Sequence, residues 1–155
     1  LQSGMKNVGF IRSQIDKISQ YFNPGEVSEI WITFPDPQLR TSRAKKRLTH
    51  PAFLRLYQQF IHPQGYIHLK TDSPDLYRFT KTVISLYGIR LLEDIDDVYA
   101  GDTVSEELKI KTHYEGLDIA RSNRIFYLRF RLPESILPDR DHELKTIIVE
   151  QEMDR

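Results

Sequence analysis

Glu29-Ile30-Trp31-Ile32-Thr33-Phe34, followed at once by Pro35-Asp36-Pro37, is the stretch on which the fold turns. Every residue from Ile30 to Phe34 is β-branched or aromatic, which predicts a strand over 29–34. The prolines end it, because they offer no amide to a sheet ladder. Downstream, Thr49 is a plausible cap for a helix from His50 or Pro51 to about Ile61, with Phe53, Leu54, Leu56, Tyr57 and Phe60 on its buried side. Gly65 then turns the chain into a strand at Tyr66–Lys70, which stops at Thr71-Asp72. Ser73 caps and Pro74 opens a helix that runs to about Tyr87 and ends at Gly88. Further strands are predicted at Ile89–Leu92 and Arg124–Leu132. Between them lie an acidic surface connection over Asp94–Glu107 and a short helix within Thr112–Arg121.

Upstream, Val8–Arg12 reads as a short strand, and Ile15, Ile18 and Phe22 carry helical spacing from Gln14 until Asn23-Pro24-Gly25. Strands that alternate with helices predict an α/β domain with a mostly parallel sheet covered on both faces. The last two strands lack a long helix between them, so an antiparallel pair is expected at one edge. Residues 1–132 are thus read as part of a single domain. Residues 133–155 are a C-terminal tail of uncertain structure, in which Ile147-Ile148-Val149 suits a strand or a helix equally well.

The chain has 155 residues, enough for one core, and 22 basic residues against 22 acidic ones. The net charge gives no reason to expect nucleic acid, but its distribution does. No acidic residue falls between Asp36 and Asp72, whereas Arg40, Arg43, Lys45, Lys46, Arg47, Arg55 and Lys70 all do. Glu93, Asp94, Asp96, Asp97, Asp102, Glu106 and Glu107 then run without a basic residue until Lys109. A polarised molecule with a face for phosphate is expected. Cysteine is absent, which excludes disulfides and thiolate metal sites, and the five histidines lack metal-ligand spacing. No apolar run is long enough to span a membrane, so the default expectation is a cytoplasmic protein, monomeric or homodimeric. Leu1-Gln2-Ser3-Gly4 resembles a helix end with a glycine stop, or else a tag remnant before Met5. Either reading suggests that an upstream segment is missing.

Two strands end alike, at Phe34-Pro35-Asp36-Pro37 and at Lys70-Thr71-Asp72-Ser73-Pro74. In open parallel sheets ligands bind beyond the carboxyl ends of the strands, so both carboxylates should project onto one rim. Singly, each aspartate is an ordinary turn or helix-start residue. Together, with five cations in Arg40–Arg47 between them, they describe a site.

Ile32-Thr33-Phe34-Pro35-Asp36-Pro37, Lys45-Lys46-Arg47-Leu48, Phe53-Leu54, Gly65, Lys70-Thr71-Asp72, Tyr77 and Thr112-His113-Tyr114-Glu115 occur in one order and at spacings that resemble the bacterial tRNA (guanine-N7-)-methyltransferase family. The resemblance runs from about Asn7 to Phe130. It implies a Rossmann-like S-adenosylmethionine methyltransferase fold, here partial, that methylates N7 of a guanine in the tRNA variable loop. By that resemblance Asp36 is the catalytic residue and adjoins the cofactor, S-adenosylmethionine. Gln14 sits where the adenine of the cofactor is contacted. Arg40, Asp72, Thr112, His113, Tyr114 and Glu115 bind substrate, and Ser42, Arg43, Ala44, Lys45, Lys46 and Arg47 contact RNA.

Gln38, Ser42, Arg43 and Lys46 depart from the residues common at those positions, and the glycine-rich turn of the family falls upstream of residue 1. The fragment by itself is therefore expected to be incomplete for catalysis. Two other readings compete. One is a non-catalytic methyltransferase-like module that binds RNA, and the other a doubly wound metal-dependent hydrolase using Asp36 and Asp72 as hard-cation ligands.

Overall fold

The computed structural model describes residues 4, 6–100, 105–109 and 124–154. Its centre is a four-stranded sheet of β1 (Val27–Thr33), β2 (Ile61–Thr71), β3 (Arg90–Ile95) and β4 (Phe126–Arg131), in the order β1-β2-β4-β3. β1 and β2 are parallel, and β4 runs antiparallel to both β2 and β3. Three strands therefore point one way. The reversed strand is inserted beside the edge strand β3, which realises the expected antiparallel pair.

Among the described residues the helices are α1 (Pro51–Gln58), α2 (Pro74–Leu86), α3 (Glu106–Lys109) and α4 (Asp141–Met153), with 3-10 helices at Ile15–Tyr21 and Thr41–Lys46. α1 begins where proline permits, but its cap is His50, whose Nδ1 accepts the Ala52 N–H at 3.0 Å. Thr49, expected in that role, is instead buried, its hydroxyl 2.7 Å from that of Thr80. α2 starts as predicted, with Ser73 Oγ accepting the Leu76 N–H. It ends at Gly88, whose φ of 64° suits glycine.

β2 is longer than its apolar core suggested, because a register irregularity lets the chain pair at Ile61 and resume at Tyr66. Gly65 lies there for lack of room rather than for a turn. A Cβ on it would stand 2.7 Å from the Ser28 carbonyl oxygen. Val8–Arg12 is not a strand, since no strand among the described residues lies beside it to complete a ladder, and Phe10 is 82% exposed. Helical spacing over Ile15–Phe22 yields only a 3-10 helix, from which Ile18 and Phe22 reach the core.

Ile32, Ile67, Leu69, Leu128 and Phe130 meet Leu54 and Tyr57 of α1, Phe79 and Val83 of α2 and Leu144 of α4 in the main core. The other sheet face holds Glu29, Trp31, His68, Lys70 and Tyr127. At its carboxyl end a small cluster of Val98, Leu108, Ile125 and Tyr127 closes over it. Coverage is thus unequal among the described residues, against the expectation of two covered faces, and Trp31 remains 38% exposed. The stretch after Asp94 is likewise more than a surface connection: Val98 is fully buried, and its N–H bonds to the Ile125 carbonyl.

The tail docks. Gln58 donates to the carbonyls of Pro133 and Ser135 and accepts the Leu137 N–H, and α4 follows against α2. Ile147–Val149 are helical.

Candidate functional site at the carboxyl end of the sheet

β1 and β2 finish side by side. Thr33 pairs with Lys70, and the Phe34 N–H donates to the Lys70 carbonyl at 2.8 Å. Asp36 follows three residues beyond the last residue of β1, and Asp72 directly follows β2. The two segments that carry these carboxylates therefore leave the same end of the sheet. Asp36 is exposed and Asp72 half-buried at the entry to α2.

The loop carrying Asp36 is bent hard. Phe34 and Gln38 adopt φ of 49° and 48°, a region costing a non-glycine residue about 1–2 kcal/mol. Asp36 Oδ1 accepts the Gln38 N–H at 3.0 Å, an Asx-type turn. Arg47 grips the loop from behind. Its Nε donates to the carbonyls of Pro37 and Gln38, and its Nη2 to those of Gln38 and Leu39. Arg43 Nε reaches Gln38 Oε1 at 3.0 Å.

The basic segment folds as the 3-10 helix Thr41–Lys46, with Arg40 just before it. Arg40, Ser42, Arg43, Lys45 and Lys46 are exposed, and among the described residues no carboxylate pairs with Arg40, Lys45 or Lys46. Ala44 and Arg47, which belong to the same run, are buried. Gln14 is exposed at the start of the first 3-10 helix, where its carbonyl accepts the Lys17 N–H. Thr112, His113, Tyr114 and Glu115 lie outside the described residues, as does the helix expected around them.

Three groups near this end were not assigned from the sequence. Lys70 is buried with its Nζ 2.7 Å from the Leu108 carbonyl, so it ties β2 to α3. Tyr77 stacks on Phe126 at 4.5 Å and donates its hydroxyl to Asp94, and burial together with that carboxylate raises its pKa. His68 stacks on Trp31 at 3.8 Å and bonds to Tyr127 and Glu29. Burial pushes the His68 pKa down, although Glu29 opposes it. Lys70 and Tyr77 fall in the stretches that carry the family resemblance and His68 in an apolar one, but the sequence attaches no individual role to any of the three.

The family model described as "Putative methyltransferase" matches residues 1–128. The chain belongs to this methyltransferase family. Among the curated relatives of the chain, a tRNA (guanine-N(7)-)-methyltransferase of Bacteroides thetaiotaomicron is 44% identical over 94% of the chain and 57% of its own length. A protein of the same name from Porphyromonas gingivalis is 44% identical over 97% of the chain and 60% of its own length. One from Staphylococcus haemolyticus is 33% identical over 85% of the chain and 60% of its own length. The chain thus spans about three fifths of the length of these relatives.

Proposed function

We propose that the protein of which this chain is part transfers a methyl group from S-adenosylmethionine to N7 of a guanine in tRNA, in the cytoplasm. One observation carries the reading. Two strands end together, so the segments bearing Asp36 and Asp72 leave the same end of the sheet, beside exposed cations that no described carboxylate neutralises. The relatives' shared name gives the reaction its substrate.

Guanine N7 holds an in-plane lone pair and no proton, so its attack needs alignment and a negative field more than a general base. S-adenosylmethionine, when bound, supplies an electrophilic methyl group beside a sulfonium charge. An exposed carboxylate at the carboxyl end of β1 suits that charge, and Asp36 is the described residue that would face it. Asp36 would also accept guanine N–H bonds and favour the cation that develops on the base, with Asp72 as a further acceptor. Arg40, Ser42, Arg43, Lys45 and Lys46 would hold phosphate, giving orientation without sequence choice. By resemblance, Gln14 would meet the adenine, and Thr112, His113, Tyr114 and Glu115 the substrate.

The test incubates full-length protein with labelled S-adenosylmethionine and unfractionated tRNA and maps the labelled base. Label at guanine N7 is expected. Label elsewhere, or RNA binding without label, rejects the assignment. Asp36→Asn should stay folded by circular dichroism and lose about 100-fold in turnover, and ordinary turnover by that variant removes Asp36 from the role.

A further inference from the structure

Arg47 belongs by sequence to the run of cations, but not by position. It is 5% exposed, its guanidinium lies 4.6 Å from the centroid of the Phe79 ring, and three successive backbone carbonyls, Pro37 to Leu39, accept its N–H groups at 3.1–3.4 Å. Those carbonyls belong to the loop that carries Asp36, whose carboxylate in turn accepts the Gln38 N–H. The same loop holds two non-glycine residues at positive φ, a conformation that persists only when its surroundings enforce it. A planar fork of five donors can satisfy several converging carbonyls at once, and an ammonium group cannot reproduce that geometry.

We infer that Arg47 is a positioning residue: its guanidinium fixes the Phe34–Leu39 loop, and so the direction of the Asp36 carboxylate, and does not neutralise RNA phosphate. This rests on the methyl-transfer reading for its functional consequence, though not for its geometry. Lys45 and Lys46, its exposed neighbours, meet phosphate, while Arg47 sets the angle of attack.

Charge-preserving replacement separates the two roles. In full-length protein, with melting temperatures compared first, Arg47→Lys is expected to lower kcat at least about tenfold, since misplacements near 1 Å can cost about 100-fold. KM for tRNA should stay within about twofold, and the slope of log Kd against log salt should not change, because a lost phosphate contact would reduce it by about one. Lys45→Gln should flatten that slope by about one. Hydrogen exchange over Phe34–Arg40 should quicken in Arg47→Lys, and in the unaltered protein these amides should be slow to exchange without tRNA. The proposal is overturned if Arg47→Lys keeps full kcat, if Arg47→Gln flattens the salt slope with kcat intact, or if the loop is protected only when tRNA is bound. Should the unaltered protein methylate no tRNA, the methyl-transfer reading fails alone, and exchange in the loop still decides the role of Arg47.

Discussion

Asp141 ties the tail to the body of the protein. Its carboxylate accepts two guanidinium bonds from Arg55, at 2.8 and 3.0 Å, and a third from the Tyr87 hydroxyl. Arg55 also donates to the carbonyls of Leu137 and Pro138. Its hydrogen bond is the main reason that the Asp141 pKa lies below the ordinary 3.8. A lowered carboxyl pKa means that the folded state binds this proton less readily than the unfolded chain. The stabilisation is therefore whole above the ordinary value, and is lost as pH falls from there through the lowered one. Asp141→Asn is expected to cost about 1.5–3 kcal/mol near neutral pH and less in acid, as read from urea unfolding at several pH values. A cost that does not shrink in acid would exclude this linkage. Arg47 shows what the sequence could not convey at this scale. In a run of five cations nothing local separates the one that turns inward, because burial is decided by Phe79 and by loop carbonyls elsewhere in the chain.

Elements were legible where local chemistry and burial agreed. α2 has a serine cap, a proline at its start and a glycine past its end, and it forms where those signals place it. β1 also lies where its β-branched and aromatic residues predict, shifted by a residue or two. The weaker assignments failed where partners decide. Val8–Arg12 has strand composition but no neighbouring strand among the described residues, while Ile147–Val149, a β-branched run that could suit a strand, is held helical within α4 by docking. Leu144 is the anchor of that docking, 1% exposed within the main core, whereas Val149 on the same helix is 39% exposed. Leu144→Ala should therefore cost about 2–4 kcal/mol, against less than about 1 kcal/mol for Val149→Ala. Denaturant titration of both variants checks the contrast, and equal losses would mean that α4 does not hold through that leucine. α4 also touches the site's margin: Thr41, which opens the basic 3-10 helix, donates its hydroxyl to Glu152.

At the scale of the molecule, the net charge of zero conceals a division of labour. The acidic stretch is answered locally: Glu93 pairs with Arg129, Asp94 with Lys81 and Asp96 with Arg124. Across the sheet, Arg40, Lys45 and Lys46 have no such partners among the described residues. Unpaired surface cations keep their counterions until a polyanion displaces them, so their contribution to RNA binding should appear as salt dependence. In full-length protein, replacing Lys45 and Lys46 together by glutamine should reduce the slope of log Kd for tRNA against log salt by about two, one for each phosphate contact. Asp96→Asn, which disturbs an exposed pair on the acidic side, should leave that slope unchanged. If both variants shifted it equally, the whole field of the molecule would be acting on RNA, and the basic segment beside Asp36 would lose its claim to be where the tRNA backbone lies.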